Sequence, residues 1–305
     1  MLKKSFFNRQ APAITMLTNG ASIRDLIAAA RSAQFDGADA FALELGLLPP
    51  EERTKANFEQ IMNEVRLPFM FILYRNDQWL KGDDDARQKY LLEAVKAGAE
   101  VVDVMGDLYQ PSKYELATDP AAIRKQKRLI KKIHEMGGKV IMSSHMSEFR
   151  TGEEILAHML EQKSRGADIL KLVTTCNTEE ELNAQIATTM MLNRKLDTPF
   201  VHLCNGKWSC LHRYLSPILG SSIAFATPGF QAPNPLFFQP TVKAFKGYLA
   251  NMPWHIDEVQ QSGDFFYGKR ICRKNRNFYR RRIRNGIARR TGICKTRSQC
   301  CIGRL

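Results

Sequence analysis

The sequence lacks several features, and each absence excludes a class. No apolar run approaches the ~18 residues that a membrane-spanning helix requires. Seven cysteines are present, an odd number with no Cys-x-x-Cys pair, which argues against both a disulfide framework and a structural zinc site. The opening MLKKSFFNRQAP is basic but has no apolar stretch of signal-peptide length, so the expected location is cytoplasmic. No Gly-x-Gly-x-x-Gly follows the first apolar run, where the chain reads TNGAS.

Acidic residues are missing from one region only. Residues 269–305 carry 14 lysines and arginines and neither aspartate nor glutamate. The chain's net charge of +14 therefore lies wholly in that tail, and residues 1–268 hold 31 basic and 31 acidic residues. Four of the cysteines, Cys272, Cys294, Cys300 and Cys301, fall in the tail too. A neutral body over 1–263 and a basic C-terminal tail over 264–305 are expected. The tail reads either as an arm for RNA or another anionic surface, or as a disordered extension, including one made by a shifted reading frame. Nucleic acid is not expected to meet any other part of the chain.

What is present in the body is alternation. Apolar, often β-branched runs at 12–18, 38–48, 67–75, 100–109, 139–145, 168–176, 198–205 and 223–228 read as strands. Between and after them lie amphipathic stretches at 22–37, 49–65, 83–99, 119–138, 151–167, 178–196, 212–222 and 235–250, which read as helices. Continuous apolar strands are expected where both faces of a sheet are covered. Eight such units in one chain of 305 residues predict a (β/α)8 TIM barrel. A doubly wound open sheet is the alternative, weakened by the missing glycine fingerprint.

In such a barrel the chemistry gathers at the carboxyl ends of the strands. Those ends offer Glu44, Arg75, Asp103, Met105, Asp107, His145, Lys171 and His202, with Arg213 in the loop after strand seven. Lys171 sits within ILKLV, where burial costs an ammonium several kcal/mol and favours the nucleophilic free amine. His145 ends the preceding strand and is placed to move protons beside it. The plainer alternative is a lysine that reaches out to water and a histidine that is merely hydrogen-bonded. For His202 a core histidine is the preferred reading.

IMSSH followed by TGEEIL and GADILKLV, together with GKWSCLHR and LGSSIAFATPGFQAP, resembles the type I 3-dehydroquinate dehydratases over roughly residues 10–250. The resemblance implies a (β/α)8 barrel without metal or cofactor that dehydrates 3-dehydroquinate to 3-dehydroshikimate in the shikimate pathway. Lys171 then matches the Schiff-base lysine, His145 the general acid and base, and Arg213 the arginine that grips the substrate carboxylate. Glu44 matches a strand-two glutamate. Arg75 resembles a strand-three arginine if that strand carries one extra residue.

The departures are specific. Met105 stands where the family has a glutamate that orients the histidine; Asp103 or Asp107, on the same alternating face, is the expected substitute. Gly46 occupies the family's strand-two arginine position. The lid after strand eight runs Gln231-Ala232-Pro233-Asn234-Pro235 instead of roughly S-A-P-G-Q. The family's serine and glutamine are thus missing, and Gln231 is the lid residue carried as a substrate-binding candidate. These changes leave a related Schiff-base lyase or aldolase on another hydroxy-keto acid as the alternative, and a non-catalytic binding barrel as a third. The expected partner is a small keto-carboxylate, and the reading leaves room for a homodimer.

Overall fold

A computed structural model of the chain describes residues 4–7, 9–229 and 238–252. The expected basic tail, and the lid with Gln231, lie outside the described residues. Within them, eight strands form one parallel sheet: β1 (Ala13–Asn19), β2 (Ala40–Glu44), β3 (Phe69–Ile72), β4 (Val101–Met105), β5 (Lys139–His145), β6 (Ile169–Thr175), β7 (Phe200–Asn205) and β8 (Ile223–Ala226). Strands adjacent in sequence pair in order from β1 to β7, and β8 pairs back onto β1. The last gap narrows where the Ser222 backbone N–H donates to the Phe200 carbonyl at 2.8 Å and the His202 N–H donates to the Ser221 hydroxyl at 3.0 Å. This is a nearly closed (β/α)8 barrel, as the alternation predicts.

The covering helices are α1 (Ile23–Phe35), α2 (Lys55–Asn63), α3 (Asp84–Ala97), α4 (Pro120–Glu135), α5 (Gly152–Ser164), α6 (Glu179–Lys195), α7 (Ser209–Leu215) and α8 (Val242–Asn251). Most begin at a side chain that caps free N–H groups, and Thr151 and Thr178 form full capping boxes with Glu154 and Glu181. One helix start differs from expectation. Pro50 opens only a 3-10 turn, and α2 begins beyond Thr54, whose hydroxyl supplies the cap. In the last unit Pro240 precedes a helix capped by Thr241.

Alternation along the strands divides the core in two. One set, including Ala13, Ala42, Met70, Ile141, Ile169, Val201 and Phe225, fills the lumen, with Phe6 packed against it. The larger set lies between sheet and helices. Strand β3 ends at Ile72 and β4 at Met105, earlier than the sequence suggests, so Arg75 and Asp107 belong to loops. None of the described helices is long and apolar enough to cross a membrane.

Candidate active site

The register sets Ser143 opposite Lys171 and His145 opposite Val173. Lys171 follows Ile169 by two residues and precedes Val173 by two, both in the luminal cluster, so its side chain shares that face. It is 6% exposed. Its Nζ donates to the Tyr74 hydroxyl at 2.7 Å and lies 3.8 Å from Asp103 Oδ2. Burial pushes the ammonium below its ordinary value, Asp103 and Glu115 pull it back up, and the charge of Arg213 pushes it further down. The net shift is downward, which eases loss of the ammonium proton.

His145 lies beside this group, its ring meeting that of Tyr74 edge-on at 5.1 Å between centroids. Its orienting partner is neither Asp103 nor Asp107, which corrects the sequence expectation. Glu115, in the loop after β4, fills that role: Oε2 is 2.9 Å from His145 Nδ1 and accepts the His145 backbone N–H at 2.7 Å. Burial works to raise the Glu115 carboxyl, but the hydrogen bond and charge of His145 outweigh it and hold the group below its ordinary value. The loop reaches back because Glu115 adopts a left-handed φ of 46° and its carbonyl presses on Gly106, where an added Cβ would lie 2.4 Å from that oxygen. Neither the bend nor the contact leaves a periodic signal, so Glu115 is not legible in the sequence.

Asp103 and Asp107 are committed elsewhere. Asp103 accepts from the Tyr74 hydroxyl at 3.0 Å and from the Ser143 hydroxyl at 2.5 Å. Asp107 accepts from Arg75 Nη1 at 2.7 Å. Met105 turns its sulfur to an Arg87 N–H at 3.7 Å.

The substrate-binding candidates separate. Arg213 is 3% exposed and held by the Cys204 carbonyl at 3.0 Å, Asn205 Oδ1 at 2.8 Å and Gln239 Oε1 at 2.9 Å. Burial lowers its guanidinium to about 10. Glu44 closes β2, accepts the Gly46 N–H at 2.9 Å, and is raised above its ordinary value by burial, with Asp77 adding to the rise. Arg75 instead spans Asp84 and Asp107, donating to both carboxylates and to the Asp107 carbonyl. Tyr74, one residue earlier, is the side chain from this loop that meets Lys171, and the sequence reading passed over it.

His202 is fully buried on the outward face of β7, where Thr189 Oγ1 lies 2.8 Å from Nδ1 and the ring packs against His212. Burial drives its imidazole well below the ordinary value. It is a core histidine.

This geometry coincides with a family match. The model of the type I 3-dehydroquinase family matches residues 14–249. The chain belongs to the type I 3-dehydroquinase family. Among relatives of this family, the 3-dehydroquinate dehydratase of Alkaliphilus oremlandii is 35% identical over 101 residues, 32% of this chain and 40% of that protein. The catabolic 3-dehydroquinate dehydratase of Acinetobacter baylyi is 27% identical over 137 residues, 44% of this chain and 48% of that protein. The matched stretches thus span less than half of those relatives. In structure, the chain resembles the 3-dehydroquinate dehydratase of Geobacillus kaustophilus with a TM-score of 0.66 at 16% identity, covering 84% of this chain and 93% of that one. The type I enzyme of Clostridium difficile, solved with covalently modified comenic acid, gives 0.67 at 17% identity over 79% and 92%. Both likenesses are of fold.

Proposed function

We propose that this dehydroquinase-family barrel is a Schiff-base hydro-lyase that converts 3-dehydroquinate to 3-dehydroshikimate, in the cytoplasm and within aromatic amino-acid biosynthesis. The observation that carries the reading is the buried Lys171 amine in one mouth with the Glu115-bound imidazole of His145.

The amine of Lys171 adds to the ketone carbon, and the carbinolamine loses water to give a protonated imine. The imine withdraws electrons and acidifies the neighbouring carbon. With Nδ1 given to Glu115, His145 has Nε2 left to take that proton. The resulting enamine expels the hydroxyl two carbons from the imine carbon, and the same imidazolium returns its proton to it, so that water leaves. Hydrolysis of the imine restores Lys171. Arg213 suits the substrate carboxylate, since a guanidinium can offer two parallel N–H donors. Glu44, raised by burial, suits a substrate hydroxyl.

A second reading has support from Tyr74 and Arg75. With Tyr74 against Lys171 and Arg75 held by two aspartates, the mouth carries less positive charge than the sequence comparison implied. This favours a lyase for a related hydroxy-keto acid. The deciding experiment is borohydride reduction in the presence of 3-dehydroquinate, followed by mass spectrometry. An adduct on Lys171 with dehydration, both lost in Lys171→Met, is expected. An adduct without dehydration would move the assignment to the second reading. No adduct with any keto acid in the folded protein would end both.

A further inference from the structure

Three hydroxyl-bearing or acidic side chains form a line that ends on the reactive nitrogen. Ser143 donates to Asp103 Oδ1 at 2.5 Å; Asp103 Oδ2 accepts the Tyr74 hydroxyl at 3.0 Å; the Tyr74 oxygen accepts from Lys171 Nζ at 2.7 Å. The steps outlined for Lys171 and His145 make no use of this line. Its members come from β4, β5 and the loop after β3, while His145 and Glu115 approach the same space separately.

Among the described residues, Asp103 from β4, Glu115 from the following loop and Arg213 from α7 act on the Lys171 charge, the Tyr74 and Phe225 rings lie beside its Nζ, and His145 from β5 packs against Tyr74. Of these, Tyr74 is the one hydrogen-bonded to Nζ among the described residues. Its phenol also donates to a carboxylate whose side chain is 1% exposed. A hydroxyl that accepts from a nitrogen and donates to a carboxylate can pass a proton between them without itself becoming charged.

We propose that Tyr74 is a catalytic proton relay between Lys171 and Asp103, serving imine formation, while the His145–Glu115 pair serves dehydration. The inference rests on the Schiff-base reading. Starting from the ammonium, Tyr74 gives its proton to Asp103 Oδ2 and takes one from Nζ, leaving a neutral amine with a free electron pair. That pair forms the C–N bond as the carbonyl π bond breaks, and a proton moves from nitrogen to oxygen to give the carbinolamine. The proton stored on Asp103 then returns through Tyr74 to the carbinolamine hydroxyl. The C–O bond breaks, water leaves and the nitrogen pair forms the iminium. One proton is borrowed and one is returned, so Asp103 ends as it began. Ser143 acts through Asp103, holding the other carboxylate oxygen so that Oδ2 faces Tyr74.

The test follows imine formation apart from dehydration. Wild type, Tyr74→Phe and Asp103→Asn are mixed with 3-dehydroquinate from pH 5 to 9, quenched with borohydride at set times, and the Lys171 adduct is counted by mass spectrometry. Circular dichroism and thermal melting establish that each variant is folded. Tyr74→Phe keeps the ring and its packing and removes the relay oxygen. Its maximal trapping rate across the pH range is expected to fall by about 10²-fold, as for loss of a positioned proton-transfer group. Asp103→Asn, which keeps shape but cannot store the proton, is expected to show the same fall and stands in if the Phe variant does not fold. His145→Ala is expected to give the opposite pattern, an adduct that does not go on to product. A folded Tyr74→Phe or Asp103→Asn variant with the wild-type maximal rate overturns the relay alone. A folded wild type that forms no adduct with 3-dehydroquinate or with any other keto acid overturns the Schiff-base reading and the relay with it.

Discussion

One oxygen of Glu115, Oε2, accepts the His145 backbone N–H at 2.7 Å and lies 2.9 Å from His145 Nδ1. Two contacts on one atom fix both the ring's tilt and its tautomer. The proton on Nδ1 points to the carboxylate, and Nε2 is the basic nitrogen.

Glu115→Gln is therefore expected to lower kcat by about 10²-fold, the lower end for a proton-transfer group that loses its orientation. An amide also offers an N–H to Nδ1 and so stabilises the wrong tautomer. Steady-state kinetics check this, and unchanged kcat would place the orienting group elsewhere. The pair has a pH signature too. Glu115 is held below its ordinary value of 4.5 in the fold, so its contribution to stability is present above that value and lost as pH falls through the lower, folded value. Melting temperatures from pH 7 down to 3 are expected to fall less steeply in the Gln variant.

Arg75 and Arg213 are expected to fail differently. Arg75 holds Asp84 and Asp107, and the Asp107 side chain is 1% exposed. Arg75→Ala leaves that carboxylate without its partner and is expected to cost roughly 2–3 kcal/mol of stability, somewhat below the value for a fully buried pair because Arg75 is partly exposed. Arg213→Ala is expected chiefly to raise KM, since a carboxylate contact is present in ground and transition states alike. Denaturation curves and kinetics on both variants separate the two effects. A KM effect for Arg75 without loss of stability would return it to the substrate.

Gly106→Ala tests the loop that delivers Glu115. Its Cβ would lie 2.4 Å from the Glu115 carbonyl, a backbone atom that cannot swing aside. A loss of about 1–3 kcal/mol is expected, together with a fall in kcat like that of Glu115→Gln. Wild-type kcat in this variant would show that the loop tolerates displacement.

Removal of residues 269–305 is expected to leave folding and lyase activity intact, because the charge-balanced body closes its last described helix at Asn251. Loss of folded protein or of turnover on truncation would assign the tail a role in the barrel.

Strand and helix order, the (β/α)8 architecture, and Lys171 and His145 on neighbouring strands were all legible in the sequence, although Lys171 is the third residue of β6 and not its end. Each rests on local periodicity: a residue's face in a strand follows from counting by two from its apolar neighbours. Arg213, expected in the loop after strand seven, lies on α7. Loop partners were not legible. Strand β3 stops at Ile72, three residues before Arg75, so counting no longer fixes which of Tyr74 and Arg75 faces Lys171. Asp84 and Asp107 bind the arginine and leave the tyrosine facing the amine. Glu115 lies ten residues past the end of β4, and only the left-handed bend and the packing on Gly106 bring it to His145. Local pattern determined the barrel and its lysine; contacts between loops distant in sequence decided which side chains attend it, because loop backbone has no period from which direction can be read.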